Sequence, residues 1–127
     1  MHRMKPALYI FTGPPGSGKS TKSQEIGVKV YDRDLGNKLE WMTQDEDAAL
    51  CTAAPSKENK DYWVKQAKEN GFVPVLYVVW TPRMTALDRM LKRDGQSPDQ
   101  RNNLNKDVER WYKLYSPHHQ EELINNG

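Results

Sequence analysis

The chain has 127 residues, with 19 basic and 17 acidic side chains giving a formal net charge of +2, and a mean hydropathy of −0.93. That length and polarity predict a single domain spanning 1–127, with a modest core and no separate substrate domain. The lone Cys51 excludes an internal disulfide and suits a reducing cytoplasm, no apolar stretch approaches the roughly 20 residues of a membrane span, and the basic start through Pro6 lacks a signal-peptide core.

The first predicted element is a strand over residues 7–11, running into Gly13-Pro14-Pro15-Gly16-Ser17-Gly18-Lys19-Ser20-Thr21. This is the G-x-x-x-x-G-K-[ST] phosphate-binding loop. A triphosphate is a dense anion, best held by inward-pointing backbone N–H groups, and the glycines let the chain curl around it without side-chain collisions. A following helix would present its positive end to the same phosphates. Lys19 is expected to reach the β- and γ-phosphates and the Ser20 hydroxyl to ligate Mg²⁺.

Residues 20–26 form a short helix stopped by Gly27, and residues 28–31 a second strand ending in Asp32-Arg33-Asp34. The polar stretch 36–47 has only Leu39, Trp41 and Met42 to anchor a short helix; residues 48–52 are the third strand. Ser56 caps a helix that ends at Gly71, and the apolar run 72–80 is a buried parallel strand. Thr81-Pro82 starts the next helix, striped by Met84, Leu87 and Leu91 and ended by Gly95. Ser97-Pro98-Asp99-Gln100 is a capping box for the last helix, whose stripe is Leu104, Val108, Trp111 and Tyr115. Residues 117–127 are expected to fray. Strands alternating with helices predict an α/β fold with a parallel sheet covered on both faces, its ligands at the carboxyl ends of the strands.

Asp32 and Asp34 follow the second strand, where a carboxylate could accept a hydroxyl proton or hold a Mg²⁺-bound water; a solvated turn would use the same residues. Arg89 and Arg93, four apart in the basic cluster Arg83, Arg89, Lys92 and Arg93, would share a helix face able to clamp a transferring phosphoryl. The alternative is a solvated face paired with Asp88 and Asp94. Trp63, Trp80 and Trp111 read as core, and Trp41 as a platform for base stacking. His118-His119 lacks partners at metal-ligand spacing.

The order of these motifs resembles the 5′-polynucleotide kinase family of phages, a group of small P-loop kinases. Gly13 to Thr21, Arg33-Asp34, Glu58 with Trp63, Gly71-Phe72-Val73, Arg89 with Arg93 and Gly95, and Pro98 carry the likeness, which extends to about Ser116. The resemblance implies a three-layer P-loop NTPase fold of about four parallel strands in the order 2-3-1-4. It implies ATP and Mg²⁺, Asp34 as the base that activates a 5′-hydroxyl, Arg89 and Arg93 as transition-state arginines, and single-stranded or terminal nucleic acid as partner. Three departures fall on the acceptor side: the family's acceptor arginine aligns with Asn37, next to Lys38; its third-strand Asp aligns with Thr52; and the stretch after Asp34 is short. The acceptor set is therefore expected from Arg33, Asn37, Lys38, Trp41 and Thr52. Two rivals stand beside a polynucleotide kinase. One is a kinase for a nucleoside, nucleotide or sugar; the other is an ATP-binding module acting through a partner. The resemblance fits a cytoplasmic monomer or small homo-oligomer with no membrane role.

Overall fold

The apolar runs assemble into one sheet whose central strands bury both of their faces. The computed structural model describes residues 5–32, 46–94 and 97–126. Strands β1 (Ala7–Thr12), β2 (Lys29–Asp32), β3 (Ala48–Thr52), β4 (Val73–Trp80) and β5 (Glu122–Asn125) pair in the order β2-β3-β1-β4-β5, every pair parallel. All five residues of β3 are buried, as a central parallel strand requires.

Alternation along β1 divides the core. Leu8 and Ile10 face Val64 and Ala67 of α2 (Lys57–Glu69), together with Leu50, Phe72 and Leu76. Tyr9 and Phe11 lie on the other face with Cys51 and Val79, where the Cys51 thiol meets Ser23 of α1 (Lys19–Gln24) at 3.1 Å. Helices α3 (Arg83–Asp94) and α4 (Pro98–Leu114) pack on each other through Ala86, Met90 and Val108. Trp80, at the end of β4, stacks among Trp111, Tyr112 and Tyr115, with ring centroids 6.0, 5.4 and 5.3 Å away. The caps form as expected: Ser56 accepts from the Asn59 N–H at 3.1 Å and Ser97 from the Gln100 N–H at 3.2 Å.

The structure departs from the sequence expectation in two places. The sheet has five strands, because residues 122–125 of the tail expected to fray pair with β4, from Tyr77↔Glu122 to Trp80↔Asn125. The cause is a buried ion pair just before the strand. Lys60 Nζ, wholly buried on α2, donates to Glu121 Oε1 at 2.5 Å, and the same oxygen accepts from the His118 N–H at 2.7 Å. Tyr115 donates its hydroxyl to the other carboxylate oxygen at 2.5 Å, and Lys60 Nζ sits 4.4 Å from the Tyr115 ring centre. The His118 ring fills the same seam: its Nδ1 accepts from the Gln120 N–H, which leaves Nε2 to donate to Asp61 at 3.2 Å. The second departure is the α3 stripe. Met84 is 66% exposed, and the buried positions are Ala86 and Met90 instead.

Burial alone would raise the Glu121 carboxyl, but its hydrogen bonds from Lys60, Tyr115 and the His118 amide outweigh it and hold the group below its usual 4.5. A carboxylate lowered in the folded state contributes stability above its unfolded value, and that stability is lost as pH falls through the folded value. Glu121→Gln should therefore destabilise the fold by about 3–5 kcal/mol at pH 7 by leaving Lys60 buried without a counter-charge. Denaturant melts should show this gap shrinking below pH 4.5, and a variant as stable as the parent at pH 7 would contradict the assignment.

Candidate active site

The carboxyl ends of β1, β2, β3 and β4 bring Thr12, Asp32, Thr52 and Trp80 to one edge of the sheet, where residues 13–18 turn into α1. Two backbone positions make the turn, Gly16 at φ 80° and Gly18 at φ 86°. A side chain is excluded at Gly16 by space as well as by φ: an added Cβ would lie 2.4 Å from the Ala86 carbonyl oxygen.

The loop is held from outside by its carbonyls. Arg89 Nη1 donates to the Gly16 oxygen at 3.3 Å. The Ser17 oxygen accepts from Asn126 Nδ2 at 2.6 Å, with the Thr81 hydroxyl at 3.3 Å. The Thr81 hydroxyl also reaches the Asn126 carbonyl at 3.0 Å, and the Asn126 N–H donates to Trp80 O at 2.8 Å. A trans peptide sets its N–H opposite its C=O, so fixing the Ser17 carbonyl outward aims the Gly18 N–H to the other side.

Inside this frame lies a cleft of about 380 Å³ lined by Pro15, Gly16, Gly18, Lys19, Ser20 and Thr21 of the loop, by Asp32, and by Met90 and Arg93 of α3. That volume is within the usual ligand-pocket range of roughly 300–1,000 Å³. Ser20 donates its hydroxyl to Asp32 Oδ2 at 2.9 Å. A hydroxyl and a carboxylate are an all-oxygen donor set that suits a hard cation such as Mg²⁺, and Lys19 and Arg93 line the same cleft with the positive charge that anionic oxygens require. The residues present thus fit both ATP phosphates and Mg²⁺. Ser17 Oγ, wholly buried in the turn, has no hydrogen-bond partner among the described residues.

Of the residues expected from sequence, the structure brings together the whole phosphate loop, Asp32 and Arg93. It separates the two arginines: Arg93 lines the cleft, whereas Arg89 is bound to the outside of the loop. Thr52 ends β3 and is buried, paired in register with Thr12. Arg33, Asp34, Asn37, Lys38 and Trp41 lie outside the described residues. The sequence reading missed Asn126, 109 residues from the carbonyl it holds, and it took Thr81 as a helix cap when its hydroxyl ties the loop to the end of β5. The only local signal was a Thr at the end of a buried strand, two residues before a basic helix. Among the described residues no helix is long and apolar enough to cross a membrane.

No family model and no curated protein matches the chain. Solved structures do. A gluconokinase from Sinorhizobium meliloti 1021 is 14% identical with a TM-score of 0.69, the match covering 98% of this chain and 85% of that one. A sugar kinase from Janibacter sp. HTCC2649 is 13% identical with a TM-score of 0.61, covering 94% and 85%. A chain of the Pnkp1/Rnl/Hen1 RNA repair complex is 16% identical with a TM-score of 0.60, covering 95% of this chain and 51% of that one. The chain has the α/β fold of P-loop kinases.

Asn126→Ala should raise the Kd for a non-hydrolysable ATP analogue about fivefold, the worth of one hydrogen bond of about 1 kcal/mol. Titration calorimetry on the full chain reads this directly, and an unchanged Kd would mean the tether does not support the loop.

Proposed function

We propose that the chain is an ATP-dependent phosphotransferase that moves the γ-phosphoryl group to a hydroxyl, with the 5′-hydroxyl of a polynucleotide as acceptor. The observation that carries the reading is the cleft in which Lys19, Ser20, Asp32 and Arg93 meet above the glycine turns. The order of Arg33-Asp34, Arg89 and Arg93 along the sequence favours the polynucleotide acceptor. The small-molecule alternative draws on the gluconokinase and the sugar kinase among the structural neighbours.

In the proposed reaction Asp34 takes the proton of the acceptor hydroxyl. The hydroxyl oxygen then bonds to the γ-phosphorus as the bond from that phosphorus to the β–γ bridging oxygen breaks, and ADP leaves with the electron pair. Lys19 and the loop N–H groups hold the β- and γ-phosphates throughout. Ser20 and Asp32 would hold Mg²⁺, directly or through water, which when bound neutralises charge on the phosphates. Arg93, the arginine that lines the cleft, stabilises the charge spread over the transferring group. Arg89 positions the loop through the Gly16 carbonyl.

Transfer from γ-labelled ATP to a 5′-OH oligonucleotide, beside a panel of nucleosides and sugars, tests the proposal. Asp34→Ala should lower kcat by about 10²–10⁴ with ATP binding intact. Arg93→Ala should lower it by about 10²–10³. Lys19→Ala should remove most ATP affinity. Label on a sugar and never on the oligonucleotide would select the small-molecule reading. ATP binding without transfer to any acceptor would sink both and leave a nucleotide-binding module.

A further inference from the structure

The nucleotide cleft has a neighbour. On the far side of Pro15, which lines both, lies a second cleft of about 370 Å³. Its walls are Pro15 of the phosphate loop, Ala53 and Pro55 just beyond β3, Asn59 of α2, and Asp107, Arg110, Trp111 and Leu114 of α4. The wall is fixed: Trp111 is buried and donates its indole N–H to the Ala53 carbonyl at 2.5 Å, so α4 and the end of β3 cannot drift apart. The sequence assigns Trp111 to the core and gives no binding role to Arg110 or Leu114.

Beyond it the same helix carries a further shallow cleft of about 350 Å³, which shares Arg110 and Leu114 with the first and adds Lys106, Glu109 and Lys113. Lys106, Arg110 and Lys113 follow the i, i+4, i+7 spacing and form one helix face. Lys113 pairs with Glu109 at 3.4 Å, whereas Arg110 has no ion pair among the described residues.

We propose that these contiguous clefts are the acceptor site, and that they take the 5′-OH end of a single-stranded oligonucleotide. This rests on the phosphotransferase reading above. The first nucleoside would pack against Pro15, Pro55 and Leu114 with its 5′-hydroxyl toward the loop, and the next phosphates would meet Arg110 and then Lys106 and Lys113. The lining decides the class. A sugar needs many polar partners, and beside Asn59, Asp107 and Arg110 this cleft is walled by two prolines, an alanine, a leucine and an indole; a nucleobase offers the flat apolar face such walls accept, with polar edges for the few polar groups. The cations that follow, in a line leading away from the loop, match a chain of phosphates and not a single neutral acceptor.

The test is fluorescence anisotropy of a 5′-OH hexadeoxynucleotide labelled at its 3′ end, bound to the full chain at low salt and across a salt series. Arg110→Glu should raise Kd at least tenfold and flatten the slope of log Kd against log salt by about 1, with the Kd for an ATP analogue unchanged. An unchanged oligonucleotide Kd, or a parent protein that does not bind the oligonucleotide, overturns the site. Should Arg110→Glu also lose ATP binding, the Lys106→Glu, Lys113→Glu double variant decides by the same readout. Oligonucleotide binding that depends on Arg110, without transfer of label to it, would uphold the site while overturning the kinase reading.

Discussion

The carbonyl of Ser17 is the point on which the site depends. A phosphate loop works only if its backbone N–H groups face the anion, and a loop rich in glycine has no intrinsic reason to keep them there. Here the opposite edge of the backbone is tied down: Asn126 and Thr81 hold the Ser17 oxygen, and Arg89 holds the oxygen before it. Each tether comes from a different element, namely the end of β5, the end of β4 and the second turn of α3. The entropy of the loop is thus lost on folding, before any ligand arrives, which is what makes a binding site tight for its size.

That arrangement explains why the chain carries a fifth strand at all. With four short residues, of which Glu122, Leu123 and Asn125 are exposed, β5 buries too little surface to hold itself on the sheet edge. It is delivered there by Glu121, whose carboxylate is saturated by Lys60, Tyr115 and a backbone amide, and it is followed by Asn126 on the loop. The ion pair on α2 and the amide on the loop are the two ends of one strap. Losing the first would loosen the second, so stability at Lys60 and nucleotide affinity at Asn126 are linked through six residues of chain.

The parts of the fold legible in the sequence were those whose causes are local. Strands β1, β3 and β4 announce themselves as apolar runs, Ser56 and Ser97 as caps, and the phosphate loop as a spacing of glycine and lysine that only one chemistry requires. What escaped has partners far along the chain. Glu121 looks like one more charge in a polar tail until Lys60 is placed against it, 61 residues away. Asn126 looks like a frayed end until it meets Ser17. The stripe of α3 was misread for a different reason: counting apolar bulk favoured Met84, whereas the helix presents Ala86, whose small side chain lets its backbone come against Gly16. Arg89 and Arg93 share a helix face in the sequence, yet only one lines the cleft, because the other is captured by the loop it was expected to face across a phosphate.

A phosphoryl donor and its acceptor must be brought to within bonding distance while water is kept out, and a chain of this length has few residues to spend on either task. In the proposed reaction Pro15 would answer both. Proline fixes φ near −65°, so the wall it forms is stiff at no further conformational cost. Having no N–H, Pro15 presents a surface that neither donates a hydrogen bond to water nor competes for an anion. Pro15 lines both the phosphate-loop cleft and the α4 cleft, so in the proposed reaction one rigid residue would set the separation of the two ligands. A bulky flexible side chain at that position would have to be ordered by each ligand in turn, and a glycine would leave the partition soft. In the proposed transfer Pro15 would hold donor and acceptor together on a surface already in place, the task that a closing subdomain performs in a larger kinase.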